Sequence, residues 1–217
     1  MSESLKHKMI KGIGWSFADN IASSGITFLV GLILARLLTP KEYGIMAMIT
    51  VFIAISNSII DSGFSNALIR KIDVKRIDYN TVFYFNLLIG IFLYGLLFVF
   101  APAIASFFRE PQLISITRVI GLVLIINSFA IVQRTILVKD VDFRTQTKVS
   151  LIASLLSSVT GIGMALYGCG VWSLVGQLLT RQLFNTIFLW IYNCWRPIWE
   201  FSVESFRELF SFGSKLL

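Results

Sequence analysis

The sequence predicts an all-α integral membrane protein built as a bundle of six transmembrane helices, and three observations carry that prediction. Of 217 residues, 56% are hydrophobic and 14% aromatic, with 19 Phe, while only 14% are charged. A soluble domain is about a quarter charged. The mean hydropathy is +0.78. The charges fall in clusters, and the stretches between them reach the roughly 20 apolar residues that a helix needs to cross the hydrocarbon core. Disorder, a disulfide scaffold and a soluble enzyme domain are excluded by this composition.

The first stretch runs from about Ile10 to Leu38 with Asp19 inside it, and the second from about Tyr43 to Ile69 with Asp61 inside it. The third, Tyr79 to Phe108, holds 30 residues without a charge between Asp78 and Arg109, and Pro102 predicts a kink or an early end. The fourth, about Leu113 to Val138, carries Arg118 near one end and Arg134 near the other. From Val149 to Thr180 come 32 uncharged residues, too many for one span, and Gly168-Cys169-Gly170 supplies a tight turn to divide them. The fifth helix is therefore about Arg144 to Tyr167, and the sixth about Val171 to Trp195, ended by Pro197.

Orientation follows from the basic residues, since cytoplasmic loops keep the positive excess. With the N-terminus inside, 13 of the 19 Lys and Arg fall on the cytoplasmic side, among them Lys6, Lys8, Lys11, Arg70, Lys71, Lys75, Arg76, Lys139, Arg144 and Arg196. The outer side receives 4, namely Arg36, Lys41, Arg109 and Arg118. The net charge of +7 thus reads as a set of topology signals, and no nucleic-acid partner is expected. Asp19 and Asn20 interrupt the first apolar run and no small-residue cleavage site closes it, so it reads as an uncleaved helix rather than a secretory signal. Trp15, Trp172, Trp190, Trp195 and Trp199 lie mostly near helix ends, where an interfacial belt or ordinary packing would equally put them.

Cys169 and Cys194 would be about 37 Å apart if one helix joins them, too far for a disulfide. With His7 the only histidine, no metal or cofactor site is expected. Residues 1–196 make one six-helix lobe, and 197–217 a linker followed by a helix start, in which Ser205 and Glu208 have capping-box spacing. That last helix is too short to cross a bilayer. It is expected to be the opening of a seventh helix in a longer protein, with an interfacial amphipathic helix as the alternative.

Helices around an aqueous cavity show a polar stripe at steps of three and four. Ser16, Asn20, Ser23 and Thr27 form one on the first helix, Thr50, Asn57, Asp61 and Ser65 on the second, and Ser150, Ser154, Ser157 and Gly161 on the fifth. The sixth carries Ser173, Gln177, Arg181 and Asn185 at steps of four, with the arginine near mid-membrane. An ionisable group at that depth costs about 2.5–3.5 kcal/mol on insertion scales and normally faces a partner or water. Asp19 and Asp61 sit at similar depth in the inner half, either as partners for a cation, a proton or an arginine, or as interhelical polar contacts. The glycines Gly25 to Gly31 and Gly161, Gly163 and Gly168 read as close helix packing.

Specific strings carry a resemblance. LARLLTPKEYG (34–44), DSGFSNALIR (61–70), VDFRTQTKVS (141–150), GVWSLVGQ (170–177), and CWRP (194–197) followed by LFSFGSKLL (209–217) occur in that order. The chain resembles polysaccharide and oligosaccharide-lipid exporters of the multidrug/oligosaccharidyl-lipid/polysaccharide flippase superfamily, on the branch with colanic acid and teichuronic acid exporters. The resemblance implies a transporter that flips an undecaprenyl-diphosphate-linked oligosaccharide across the bacterial cytoplasmic membrane by alternating access. It also implies a second lobe, of which this chain holds none. On that reading Arg181, Arg118 and Arg134 are the candidates for the substrate's diphosphate, because a guanidinium fork matches phosphate oxygens. Arg118 and Arg134, near helix ends, are also placed to snorkel to the interface. Asp19, Asp61, Asn57, Gln177 and Asn185 are candidate lumen or ion-coupling groups, and Arg36 marks the outer mouth. The competing readings are a cation-coupled multidrug-type antiporter lobe and a non-transporting scaffold. A membrane enzyme would need a catalytic acid, base or nucleophile constellation, and none is visible in the sequence.

Overall fold

A computed structural model describes residues 21, 23–61, 63–71 and 73–213, without the side chains of 211–213. Asp19, Asn20, Ser16 and Trp15 lie outside the described residues. Every regular element described is helical: α1 (Ser23–Leu37), α2 (Pro40–Asp61), α3 (Phe64–Arg70), α4 (Arg76–Phe108), α5 (Leu113–Ile120), α6 (Leu122–Lys139), α7 (Phe143–Leu166), α8 (Val171–Tyr192) and α9 (Val203–Gly213). Four helical stretches are long and apolar enough to cross a membrane: Pro40–Arg70, Arg76–Phe108, Leu113–Lys139 and Phe143–Leu166. At 22 residues α8 is long enough too, but Gln177, Arg181, Gln182 and Asn185 make it more polar.

The chain ends each helix by local chemistry. Thr39 opens α2, its N–H and hydroxyl both donating to the Glu42 carboxylate at 2.6 and 2.9 Å, with Pro40 in the first turn where its missing N–H costs nothing. Glu42 also lies close against Gly170 at the start of α8, where an added Cβ would overlap its carboxylate. Pro102 does not end α4, which continues to Phe108 and stops at Arg109 in the left-handed region. Gly121 divides α5 from α6, and a Cβ there would meet the Tyr94 ring at 2.9 Å. The predicted break at 168–170 is present, with Gly168 and Gly170 at φ 75° and 57°.

Between α6 and α7, Asp142 caps the new helix by accepting from the Thr145 N–H and hydroxyl. The tight turn leaves Val141 at φ 58°, a conformation that a β-branched side chain resists. Val141→Asn should therefore raise the thermal unfolding midpoint in detergent, by about 1 kcal/mol of stability; an unchanged or lower midpoint would contradict it.

The sixth predicted span ends earlier than expected. α8 stops at Tyr192, where Asn193 turns extended. The Asn193 amide donates to the Gln133 carbonyl, and the Arg196 guanidinium donates to the carbonyls of Trp190, Asn193 and Trp195. These contacts, rather than Pro197, close the helix. The start of α9 also differs from the sequence reading. Ser202 accepts from the Ser205 N–H and is the cap, while Glu208, assigned to a capping box with Ser205, pairs with Lys71 at 2.8 Å. Lys71 also meets buried Asp78 at 3.2 Å. Burial alone would depress the Lys71 pKa, but Glu208 and Asp78 together hold it above the usual lysine value.

The bundle has two chemically distinct ends. Arg36, Lys41 and Arg109 share one with the α7–α8 turn, joined by a Lys41–Glu110 ion pair at 2.8 Å. Lys71, Lys75, Arg76, Lys139, Arg196 and Arg207 gather at the other, where Lys139 donates to the Leu68 and Lys71 carbonyls and Arg76 to that of Arg196. Between them, Ile45, Ile49 and Ile53 of α2 pack with Leu97 of α4, Ile116 and Ile120 of α5, Leu124 of α6 and Val175 of α8. Leu88, Ile91, Phe92, Leu96 and Val99 of α4 are exposed and recur along one side of that helix.

Trp190 and Trp195 pack in an aromatic cluster on Phe83 at the basic end, so ordinary packing explains them. Of the other described tryptophans, Trp172 and Trp199 are exposed.

Candidate functional site

Three helices converge on a polar cavity of about 300 Å³. α6 contributes Arg134. α7 contributes Gln146, Ser150 and Ala153, which recur at steps of four and three and so share a face. α8 contributes Arg181, Gln182, Asn185 and Leu189. Two guanidiniums thus face one space, and among the described residues no carboxylate lines it.

Neither guanidinium is neutralised in place: among the described residues Arg134 and Arg181 make no ion pair. The Asp61 carboxylate accepts from Ser65 one turn along and makes no ion pair with Arg134. Ser23 of α1 meets Ser150 at 3.3 Å, bringing the first helix to the rim.

Behind the cavity runs a ladder of side-chain amides. Gln182 donates to Asn127 and Asn127 to Asn57, each at 2.8 Å, which ties α8 through α6 to α2. Thr186 adds a bond to the Ile126 carbonyl at 3.2 Å. Inside a bilayer such bonds fix helix positions because the alternative is an unpaired polar group in hydrocarbon.

Of the candidates read from the sequence, the cavity unites Arg181, Arg134 and Asn185. Asn57 stands one step away, in the ladder. Gln177 does not line the cavity but packs against Gly161, whose added Cβ would lie 3.0 Å from it. Arg118 lies apart on α5, its guanidinium 4.4 Å from the centre of the Phe98 ring. Arg36 is exposed at the end of α1. Asp61 is exposed at the end of α2, and Asp19 falls outside the described residues. Gly161 is a packing glycine as expected, whereas nothing described lies within 4 Å of a Cβ placed at Gly25, Gly31 or Gly163.

The α8 stripe divides for a geometric reason. Each step of four advances about 40° around a helix of 3.6 residues per turn, so Ser173 and Asn185 point about 120° apart. Ser173 is fully buried, Gln177 faces α7, and only Arg181 and Asn185 reach the cavity. Gln146, Asn127 and Gln182 were missed in the sequence. Gln146 was legible as the continuation of the Ser150 face, while Asn127 and Gln182 fall outside any strict step of four.

An all-helical bundle with four apolar helices of membrane-spanning length, matched to bacterial membrane proteins, is a multi-pass bacterial membrane protein. Residues 33–217 match the family described as "Polysaccharide biosynthesis protein", and the chain belongs to it, bearing out the resemblance to the polysaccharide flippase superfamily. It is 29% identical over 205 residues, 94% of its length, to the succinoglycan biosynthesis transport protein ExoT of Rhizobium meliloti (strain 1021). It is 24% identical over 97% of its length to the teichuronic acid biosynthesis protein TuaB of Bacillus subtilis (strain 168), and 21% identical over 98% to the lipopolysaccharide biosynthesis protein WzxC of Escherichia coli (strain K12). The matches cover 42%, 44% and 44% of those relatives, so the chain spans less than half their length. No solved structure matches it.

Proposed function

We propose that this chain is the N-terminal six-helix lobe of an exporter that flips an undecaprenyl-diphosphate-linked oligosaccharide from the inner to the outer leaflet by alternating access. A second lobe faces it across the central space. One observation carries the reading: Arg134 and Arg181 line a single polar cavity with no described carboxylate to neutralise them. A diphosphate is the group that such a pair suits, since each guanidinium offers a planar fork to phosphate oxygens.

The same charges supply a reason for the lobe to move. Two unneutralised guanidiniums at this depth keep the cavity hydrated and resist its closure. A bound diphosphate cancels them, and the occupied cavity closes at lower cost than the empty one. A ligand shifts a conformational equilibrium only by its differential affinity for the two states, and charge cancellation provides that difference. The amide ladder ties the cavity wall to α2, so α2, α6 and α8 move together.

In this reading the N-terminus and the end bearing Lys71, Arg76 and Lys139 are cytoplasmic. Two native cysteines test the orientation, because Cys169 lies in the α7–α8 turn, Cys194 lies just past α8, and both are free and exposed. A membrane-impermeant maleimide applied to intact spheroplasts should label Cys169, and Cys194 only after the membrane is opened. The reverse pattern would invert the topology. The transport reading itself is tested by export of the cell-surface polysaccharide from a strain whose own exporter gene is deleted. Restored export is expected, and restored drug efflux without restored export would favour the antiporter.

A further inference from the structure

We propose that the connection between α8 and α9 is an interfacial strap, which inserts Ile198, Trp199, Phe201 and Val203 into the phospholipid leaflet at the basic end of the bundle. The inference rests on the membrane placement of α4 and is independent of what the protein transports.

The strap is held in one position by α4. The Ile198 N–H donates to the Asn80 side chain at 3.3 Å and the Ser202 N–H to the Thr81 hydroxyl at 3.1 Å. Arg76 donates to the Arg196 carbonyl, fixing the near end, and the Lys71 contacts to Asp78 and Glu208 fix the far end through α9. Beneath it, Phe206 packs on Phe64 and Phe85, and Leu209 is 2% exposed. The inward face of the segment is therefore satisfied by protein.

Its outward face is not. Ile198, Trp199, Phe201 and Val203 are 41, 91, 52 and 63% exposed, four large apolar side chains within six residues. An apolar cluster of this kind marks a contact surface. The position identifies the partner. Trp199 stacks on Tyr84 with ring centroids 5.3 Å apart. Tyr84 stands one helical turn before Leu88 and two before Ile91, at the head of the exposed apolar stripe that α4 presents to lipid. The strap thus continues the lipid-facing surface toward the bundle end. Arg76 lies two turns from Tyr84 in the direction of that end, and Arg70, Lys75 and Arg207 are exposed beside it, at the level where phosphates of the leaflet lie. Glu200 and Glu204 are exposed on the same stretch, so apolar insertion rather than net charge carries the contact. An aromatic with one face on protein and the other outward is suited to the headgroup boundary.

Spin labels test the strap in vesicles of phosphatidylethanolamine and phosphatidylglycerol. Trp199→Cys and Phe201→Cys are made separately with Cys169→Ser and Cys194→Ser, and Asp73→Cys in the exposed α3–α4 loop is the aqueous control. Collisions with oxygen, which partitions into lipid, are compared with collisions with a water-soluble nickel chelate. Labels at 199 and 201 should favour oxygen over nickel, with the ratio reversed at 73. A nickel preference at both 199 and 201 would leave the strap in water and overturn the proposal. Shielding from both reagents would mean that protein covers it, which overturns the proposal equally. Because the readout requires no transport, its failure leaves the export reading untouched.

Discussion

Arg181→Ala, introduced into the protein as its host makes it, should abolish polysaccharide export while membrane abundance stays near normal. The guanidinium lines the cavity together with Arg134 and has no ion-pair partner among the described residues, so its removal deprives no carboxylate of a mate and leaves the fold intact. What is lost is a charge-assisted, two-pronged contact with the diphosphate. Hydrogen bonds to charged groups are worth about 1.5–3 kcal/mol, so binding should weaken roughly 10- to 100-fold. Arg181→Lys should recover part of the activity, because an ammonium keeps the charge but not the fork. Arg134→Ala should match Arg181→Ala, and the double variant should fall short of the product of the two losses, as expected of residues that share one ligand. Arg118→Ala provides the contrast, since that side chain rests on Phe98 outside the cavity and export should remain near normal. Parental export by Arg181→Ala, at parental abundance, would sink this account.

The second large effect is structural. Gly90 of α4 lies against Ser128 of α6, and an added Cβ would overlap the Ser128 hydroxyl and approach the Leu124 carbonyl to 3.3 Å. The hydroxyl has little freedom to retreat, being bonded to that same carbonyl at 2.8 Å. Gly90→Ala should therefore push α4 from α6 and destabilise the protein by about 1–3 kcal/mol, the usual cost of overpacking. The measurement is the thermal unfolding midpoint in detergent, with Gly90→Ala/Ser128→Ala as the second variant. Removing the hydroxyl relieves the overlap and should restore most of the loss. A midpoint for Gly90→Ala equal to that of the parent would mean that the two helices are less closely packed than described.

Much of the fold was legible because charge clusters punctuate the chain. The third stretch, bounded by Asp78 and Arg109, became α4, and the glycines at 168 and 170 marked the turn between α7 and α8. Helix ends made by tertiary contacts were not legible. Asn193 ends α8 by bonding to Gln133, 60 residues away, and Glu208 abandons its local cap for Lys71. At Pro102 the expected early end is not met, since a helix of membrane-spanning length tolerates a proline that a propensity argument would use to end it.

The candidate site was half legible. The stripe on α8 pointed to Arg181 and Asn185, but treating steps of four as one face hid the drift that turns Gln177 toward Gly161. Arg134 and Arg118 were indistinguishable in sequence, each near an end of the same apolar stretch. They were separated only by the break at Gly121 and by what lies opposite each: Gln146, Ser150 and Arg181 for one, the Phe98 ring for the other. No spacing rule within a single helix carries that information.

The central claim is that Arg134 and Arg181 hold a diphosphate. It is tested most directly by adding undecaprenyl diphosphate to the purified full-length protein in nanodiscs and following binding by native mass spectrometry, with undecaprenyl monophosphate as competitor. The account predicts a preference for the diphosphate in the parent that is lost in Arg134→Ala/Arg181→Ala. Equal retention of the diphosphate by the parent and the double variant would contradict it.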